Sequence, residues 1–368
     1  IMYKINILTK GFISPNACAF LFPIIVNKRR LIDLGISYSI FKDISERIYD
    51  CDVLILDSRY FSRLWNIYGD DQILKRIEEL KNKINAVLFF DISDSTGWIQ
   101  SQVLPYVTAY YKSQLLKDKN LYLDNHYGNR IYTDYYHKKF NINDETPAIN
   151  RKIENKDDLN KLNISWNSGL ANYSSLGPYL TSLYRYLPLE HFLRYPKYFH
   201  QNLNIRDIDV SCRMGINYPR KTVCYQRKQI RKMLSNSLRT NKITRRKYLT
   251  ELRNSKIVVS PFGFGEITLK DFETFLSGSV LVKPNMSHME TYPNFYIDDN
   301  ATATDTISTH AWDLSDLETL IDHILTDYDQ YAEIAVNGQN RYRHYISTKD
   351  GYEEFCLYFK EIIHKHIN

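Results

Sequence analysis

Cysteine is scarce in this chain of 368 residues, and its five cysteines are scattered. No two of them form a Cys-x-x-Cys pair, the spacing that is typical of zinc sites and thiol redox motifs. Their positions also give no sign of a disulfide framework, so we expect a reducing, cytoplasmic environment. The cysteines are Cys18, Cys51, Cys212, Cys224 and Cys356.

Long hydrophobic runs are absent as well. The apolar run over 17–26 is far shorter than the roughly 20 residues that a membrane-spanning helix needs. It follows a predicted strand and has neither a basic leader nor a small-residue cleavage site, so it is not typical of a signal peptide. The overall composition, 43% hydrophobic and 24% charged, is ordinary for a globular protein.

Charge of one sign is not in large excess, since the net charge is only +6, but the charge is unevenly placed. The segment 213–256 holds 14 Lys and Arg residues and a single acid, Glu251. A solvated helical face with a few pocket arginines is one interpretation of such a run. A diphosphate pocket, an anionic membrane surface and a nucleic acid are the ligands that the run leaves open.

Strands and helices alternate along the first half of the chain, which predicts a doubly wound parallel sheet. This half carries no dinucleotide-binding fingerprint, so we interpret residues 1–200 as a Rossmann-like acceptor domain. The length of the chain leaves room for a second domain with its own core. The predicted strands cover 3–8, 37–41, 52–56 and 86–90, and the predicted helices cover 17–34 and 71–82.

Two acidic residues, Asp91 and Asp94, follow the last of these strands. The carboxyl edge of a parallel sheet faces the ligand cleft, so either carboxylate could act as a general base toward an acceptor hydroxyl. Capping of a following helix by the same side chains is the structural alternative.

A β-α-β unit organises the second half. Two β-branched runs, 257–259 and 280–282, predict buried strands, and a short helix is predicted over 268–276. Between strand and helix lies a turn that contains Gly263, Phe264 and Gly265. Glycine allows the main chain to approach a phosphate at a helix N-terminus, although a tight turn alone would also need glycine.

The segment 260–284 reads Ser-Pro-x-Gly-x-Gly-Glu, then Asp-Phe-Glu, then Gly-x-Val-Leu-Val-Lys-Pro. With these motifs it resembles the donor-site segment of GT-B glycosyltransferases. The resemblance implies two Rossmann-like domains that face a cleft, with residues 201–348 as the nucleotide-sugar domain. It also implies that the helix in 349–368 returns to the first domain.

The same resemblance assigns roles to individual residues. The loop of Gly263, Phe264, Gly265 and Glu266 would cradle the diphosphate or the sugar, and Glu273 would hold the ribose hydroxyls. Arg213 and Arg220 match basic positions that neutralise the donor diphosphate, for which the planar guanidinium is well suited. Lys283 and His288 are close enough in sequence to contact phosphate or sugar. Glu266 and His288 join Asp91 and Asp94 as catalytic candidates.

One spacing departs from the family. Many retaining members have two glutamates eight positions apart, whereas Glu266 and Glu273 are seven apart. The sequence therefore does not predict whether the anomeric configuration is retained or inverted. Asp-x-Asp pairs occur, but none follows an apolar strand as in metal-dependent GT-A enzymes, so no metal is required by this interpretation.

The sequence thus predicts a glycosyltransferase that uses a nucleotide-diphosphate sugar and a glycan or lipid-linked glycan acceptor, as in polysaccharide or lipopolysaccharide synthesis. A nucleotide-sugar epimerase or hydrolase of the same fold, or an inactive scaffold, would use the same pocket. A nucleic-acid-binding protein built on 213–256 is the alternative from another class, although no nucleic acid partner is expected. We expect a cytoplasmic protein, with peripheral membrane contact left open.

Overall fold

The first domain is built on a six-stranded parallel sheet. The computed structural model describes residues 2–149, 151–200, 205–234 and 240–367. Strand order in the sheet is β2-β1-β3-β4-β5-β7, with β6 outside it. The strands are β1 (Tyr3–Leu8), β2 (Ile36–Phe41), β3 (Val53–Asp57), β4 (Ala86–Asp91), β5 (Ala109–Lys112), β6 (Gln114–Leu116) and β7 (Leu162–Ile164).

The central strands β3 and β4 are buried along their whole length, because helices cover both faces of a parallel sheet. Strand order reverses between β1 and β3, and such a switch point opens a crevice at the carboxyl ends of the strands. The helices of this domain are α1 (Pro15–Val26), α2 (Lys28–Asp33), α3 (Ser58–Phe61), α4 (Leu64–Lys83), α5 (Ile131–Phe140) and α6 (Gly177–Tyr184).

Two helix predictions need correction. The helix expected over 17–34 is two helices that meet at Asn27, and Pro23 lies inside the first of them rather than at the break. The helix expected from residue 71 begins at Leu64, and a kink at Gly69, where φ is 75°, separates the added turn.

The second domain holds a four-stranded parallel sheet with strand order β12-β10-β9-β8. Its strands are β8 (Ile208–Ser211), β9 (Ser255–Val259), β10 (Val280–Pro284) and β12 (Ser308–His310), and β11 (Met289–Thr291) lies apart from them. The helices are α7 (Lys221–Leu234), α8 (Arg245–Asn254), α9 (Leu269–Ser277), α10 (Leu317–Thr326), α11 (Tyr328–Ser347) and α12 (Lys349–His364). No strand forms at 295–297, where the sequence suggested one.

A strand pair and a returning helix are among the connections between the domains. Strand β11 of the second domain pairs antiparallel with β6 of the first. Helix α12 packs on the first domain, where Phe355 and Phe359 contact Trp166 at ring-centroid distances of 5.5 and 5.8 Å. These features confirm the expected fold class, two Rossmann-like domains with a C-terminal helix that returns to the first. The predicted boundary at 200/201 borders residues 201–204, which lie outside the described residues.

Within the described part of the chain, no helix has both the length and the hydrophobicity that crossing a bilayer requires.

Candidate functional site

A cavity of about 540 Å³ lies between the two domains. Its walls come from the carboxyl edge of the first sheet and from the glycine-rich loop of the second domain. The first domain contributes Pro15, Asn16, Ala19, Phe20, Ile92, Ser93, Asp94, Ser113, Gln114, Ser165, Trp166 and Ser168. The second contributes Tyr218, Arg227, Gly263, Phe264, Gly265, Ile267, Thr268 and Leu269.

Two helices point their N-termini at this cavity. Helix α1 begins at Pro15, and the Ser14 hydroxyl oxygen caps it by accepting from the Ala17 amide at 3.2 Å. Helix α9 begins at Leu269, and Thr268 and Asp271 form a capping box there. Helix N-termini carry a partial positive charge and free amide donors, so the cavity favours an anionic ligand.

The carbonyl oxygens of the glycine-rich loop are fixed by three side chains. Arg227 Nε donates to the Phe262 carbonyl at 2.6 Å, the Tyr132 hydroxyl to Gly263 at 2.5 Å, and Arg130 Nε to Phe264 at 2.6 Å. The Gly265 carbonyl accepts from the Gly263 amide at 3.0 Å. Among the described residues, the amides of Phe264 and Gly265 meet no acceptor, so they are free to donate to a ligand.

Gly265 permits the close approach of the two domains. A Cβ atom at this position would lie 2.8 Å from the Ser95 amide nitrogen and 3.2 Å from Asp94 Cβ. At Gly263 a Cβ would lie 3.3 Å from Arg227 Nη2. Neither glycine has a positive φ, so contact with neighbouring atoms, rather than backbone conformation, is what requires glycine here.

Glu266 lies in the second domain, is fully buried, and is hydrogen-bonded to the first domain. Its carboxylate accepts from the Thr96 hydroxyl at 2.7 Å and the Thr96 amide at 3.0 Å. His288 Nε2 lies 3.4 Å from Glu266 Oε1. Burial alone would raise the pKa of Glu266, but the hydrogen bond and charge of His288, with the bonds from Thr96, lower it to about 2.

His288 stands against Trp312, with the ring centroids 5.0 Å apart and nearly perpendicular. Its Nδ1 atom is buried and has no hydrogen-bond partner among the described residues. The side chain is 14% exposed and is not among the residues that line the cavity.

Asp91 and Asp94 occupy different environments. Asp91 is buried, and its carboxylate accepts from the Tyr110 hydroxyl at 2.5 Å and from Lys112 Nζ at 3.1 Å. Burial would raise the pKa of Asp91, but the Lys112 ammonium and the Tyr110 hydroxyl hold it below its usual value. Asp94 lines the cavity, and Asn16 Nδ2 donates to its Oδ1 at 3.0 Å.

Of the predicted cations Arg213, Arg220 and Lys283, none is among the residues that line the cavity. Arg213 binds Glu251 through Nε and Nη2, the latter at 2.7 Å. Lys283 is completely buried beside Asp271, at 3.0 Å. Arg220 has a buried Nη1 without a partner among the described residues. Burial and the neighbouring Arg130 lower the pKa of Arg220.

Glu273 is buried beside a second cavity, of about 530 Å³, which is lined by Tyr173, Tyr195 and Arg253 among others. Arg245 Nη1 donates to its Oε1 at 2.6 Å. Burial raises the pKa of Glu273, and the pairing with Arg245 opposes that rise. The ribose-binding role of Glu273 stays a prediction.

Sequence reasoning missed two cations near the glycine-rich loop, of which only Arg227 is among the residues that line the cavity. Arg227 lines the cavity, with its guanidinium 5.0 Å from the Tyr218 ring centroid. Lys270 donates to the Arg213 and Val259 carbonyls, and burial lowers its pKa to about 8. Arg227 lies in the basic segment 213–256, and Lys270 lies in the segment 260–284. The sequence spacing of these two residues does not distinguish them from basic residues that are exposed. No group of three or more His, Cys, Asp or Glu in the described ranges could hold a metal ion.

Comparison with known proteins gives only distant matches. No protein-family model and no curated protein matches the chain. Among solved structures, an alpha-glucosyltransferase in complex with UDP is 10% identical, with 98% of this chain and 100% of that chain covered and a TM-score of 0.48. Anabaena Alr3699/HepE in complex with UDP-glucose is 10% identical, with coverage of 99% and 100% and a TM-score of 0.45.

A putative UDP-N-acetylglucosamine 2-epimerase from Listeria monocytogenes is also 10% identical, with coverage of 100% and 97% and a TM-score of 0.43. All three TM-scores lie below 0.5, so the function has to be inferred from the residues of the cleft.

Proposed function

We propose that the chain is a glycosyltransferase that moves a sugar from a nucleotide-diphosphate sugar to a hydroxyl of a glycan or lipid-linked glycan. The observation that carries the proposal is the glycine-rich loop, whose carbonyls are bound and whose amides at Phe264 and Gly265 are free, beside the N-terminus of α9. Such a loop presents donors and positive charge to a diphosphate while excluding a cationic ligand.

Arg227 is the cation of the proposed diphosphate site. Its Nε is occupied by the Phe262 carbonyl and its Nη1 by the Gly215 carbonyl, at 3.1 Å, which fixes the guanidinium plane. Nη2 lies next to Gly263 on the cavity side and would donate to a phosphate oxygen. In this role Arg227 and the loop amides stabilise the charge that develops on the leaving nucleoside diphosphate.

Asp94 is the proposed general base. It lies on the first-domain wall of the cavity, and Asn16 orients its carboxylate through Oδ1. The acceptor hydroxyl oxygen would form a bond to the anomeric carbon as the bond from that carbon to the diphosphate oxygen breaks. The electron pair leaves with the nucleoside diphosphate, and the hydroxyl proton passes to Asp94. Asp91 holds Lys112 in this proposal and does not touch the substrates.

The first experiment is a thermal-shift series with UDP, GDP, CMP, ADP and dTDP. A ligand that binds only the folded state raises its stability, so the productive nucleotide raises the midpoint of unfolding, Tm. We expect Arg227→Ala to lose this response at least about tenfold in apparent affinity, because a charged hydrogen bond contributes about 1.5–3 kcal/mol. The matched control is Arg246→Ala, since Arg246 is exposed on α8. No response to any nucleotide would refute the proposal.

Product analysis then separates the enzyme classes that share such a pocket. Transfer yields sugar on an acceptor, hydrolysis yields free sugar, and epimerisation changes the sugar. An inactive scaffold binds the nucleotide-sugar and releases no nucleoside diphosphate. We expect transfer in the wild type and loss of turnover with retained nucleotide binding in Asp94→Asn.

Nucleic-acid binding is the second candidate, because Lys228 and Arg231 on α7 and Arg246 and Lys247 on α8 are exposed. Three other arginines of the basic segment have partners or line the cleft: Arg213 and Arg245 pair with glutamates, and Arg227 lines the cavity. A gel-shift titration with duplex DNA at several salt concentrations tests this candidate, since phosphate contacts weaken steeply with salt.

A further inference from the structure

Exposed hydrophobic side chains are concentrated in one short segment. Of the 17 large hydrophobic residues that are exposed among those described, seven lie between residues 176 and 198. Contiguous exposed apolar surface on a monomer marks a place of interaction. The seven are Leu176, Tyr179, Leu183, Tyr186, Leu187, Leu189 and Tyr198.

Helix α6 explains how these side chains come to face outward. Its inner side packs on the protein, where Thr181 is buried and Tyr184 meets Phe12 at a ring-centroid distance of 5.1 Å. The opposite side carries a stripe at a helical spacing of three and four residues. Tyr179 and Leu183 in this stripe are 61% and 39% exposed. The stripe consists of Leu176, Tyr179, Leu183 and Tyr186.

A helix that packs on the protein through one side and is apolar on the opposite side exposes that apolar surface to water. Contact with a second apolar partner would bury it. In the stripe, Leu176, Tyr179 and Tyr186 are 63%, 61% and 71% exposed, and Leu183 is partly covered. The turn continues past the helix, because the Tyr186 amide donates to the Leu183 carbonyl at 3.0 Å, so Tyr186 stays in line with the stripe.

Basic side chains surround the stripe. Arg185, Arg194 and Lys197 are exposed in the same segment. Helix α2 adds Lys28 and Arg29, and it is tied to the segment because Lys28 Nζ lies 3.2 Å from Glu190 Oε1. Glu190 is the one acid in 176–198, so the surface combines leucine and tyrosine side chains with a net positive rim.

We propose that this surface, residues 176–198 with Lys28 and Arg29, docks onto a lipid bilayer that contains anionic lipids. Leucines enter the acyl boundary, tyrosines lie at the headgroup level, and the cations attract the negative surface potential of the bilayer. A second copy of the chain is a poorer occupant. A two-fold contact would place the same cationic rims against each other, which costs free energy.

Docking there would bring the candidate site close to the lipid surface. Phe12, which packs on Tyr184, lies two residues before Ser14, the cap of α1, and the N-terminus of α1 lines the cleft cavity. If the proposed transferase function holds, this arrangement favours an acceptor that is itself anchored in the bilayer. The docking surface does not depend on that function.

Vesicle co-sedimentation tests the proposal. The full chain is mixed with vesicles of phosphatidylcholine alone, or of phosphatidylcholine with phosphatidylglycerol, at low and high salt. We expect binding to the anionic vesicles that weakens with salt, because surface charge is screened within about 10 Å at 0.1 M. No sedimentation with anionic vesicles at low salt would overturn the proposal.

Two variants separate the contributions of the surface. Tyr179→Ser/Leu183→Ser removes apolar contact, and Arg185→Glu/Lys197→Glu reverses charge. Each should weaken partition at least about tenfold, given the free energy of burying such side chains and of approaching anionic lipid. The matched controls are Ile67→Ser/Tyr68→Ser, an exposed apolar pair on α4, and Lys228→Glu/Arg231→Glu on α7. Equal losses in the controls would contradict a specific surface.

Light scattering and nucleotide thermal shift complete the design. A wild-type dimer that the Tyr179→Ser/Leu183→Ser variant converts to a monomer would assign the surface to a second copy and overturn bilayer docking. The nucleotide response should be unchanged in all four variants. Bilayer binding without any nucleotide response would leave the docking surface standing and refute only the transferase.

Discussion

Glu266, in the glycine-rich loop of the second domain, accepts hydrogen bonds from both the hydroxyl and the amide of Thr96 in the first domain, at 2.7 and 3.0 Å. A fully buried carboxylate thus links the two domains next to the loop that lines the cavity. The bond requires the ionised form, because a protonated carboxyl offers fewer acceptor sites for these donors. Domain contact and ionisation of Glu266 are therefore linked.

Glu266 should make the folded protein sensitive to acid. Its folded-state pKa is about 2 against 4.5 for the free side chain, a depression that corresponds to a stabilisation of the order of 3 kcal/mol. Because the pKa is depressed, this stabilisation is present above pH 4.5 and is lost as the pH falls toward 2. We expect the free energy of unfolding to fall less steeply over that range in Glu266→Gln. Urea denaturation at a series of pH values measures the difference, and equal slopes would contradict it.

Gly265→Ala should separate the domains at the loop. The added methyl would meet the Ser95 amide at 2.8 Å, and overpacking of this kind costs about 1–3 kcal/mol. Nucleotide binding should weaken as well, because the loop amides would shift. Gly215→Ala is the matched control, since no atom lies within 4 Å of the place that its methyl group would occupy and its φ is not positive. Equal stability of both variants would argue against close approach as the reason for glycine at 265.

Breaking the Asp91–Lys112 pair should lower the free energy of unfolding substantially. Both side chains are fully buried, with Oδ2 and Nζ 3.1 Å apart. Asp91→Ala would leave the ammonium unpaired and lower the free energy of unfolding by about 3–5 kcal/mol. Asp91→Asn/Lys112→Met should restore most of that loss, because neither charge remains.

An exposed pair supplies the control for this experiment. Lys4 and Asp50 are 3.1 Å apart, with side chains 58% and 76% exposed, so Asp50→Asn should cost less than about 1 kcal/mol. A cost for Asp91→Ala no larger than that of the control would mean that the buried pair contributes nothing beyond a surface contact.

Glu273→Gln distinguishes two roles of this residue. If Glu273 chiefly holds Arg245, we expect a loss of about 1–3 kcal/mol in the free energy of unfolding, since a charged bond is replaced by a neutral one, and an unchanged nucleotide response. If it binds ribose, the response in the thermal-shift series falls. Arg245→Met serves as the partner variant, because it removes the ion pair while it leaves a ribose-binding carboxylate in place.

The sequence predicted the central strands because each is a continuous apolar run, which is typical of parallel strands that are buried on both faces. It missed β5, since Ala109–Lys112 has four residues and ends in a lysine, whose buried ammonium pairs with Asp91. Strands β6 and β11 have three residues each and exist only through their pairing across the domains. The local sequence of either strand does not predict this pairing.

Sequence reasoning pointed to the loop that lines the cavity, but it was less successful in selecting the cations near that cavity. The glycine spacing pointed to 263–265, which lines the cavity. Arg213 and Lys283 have the right chemistry for a diphosphate, but Glu251 and Asp271 occupy them. Those acids are distant in sequence or on another element. Tertiary structure therefore determines whether a cation pairs with an acid of the same chain or remains available to a ligand.

Helix α12 has a consequence for the synthesis of this protein. Phe355 and Phe359 complete the packing around Trp166 in the first domain, although they belong to the last helix of the chain. While the ribosome is still making the second domain, the core of the first lacks that cover, and β6 lacks its partner strand. Domains usually fold as units in the order of their synthesis. Here the packing around Trp166 is complete only after α12 has been made, so the first domain exposes apolar side chains until then.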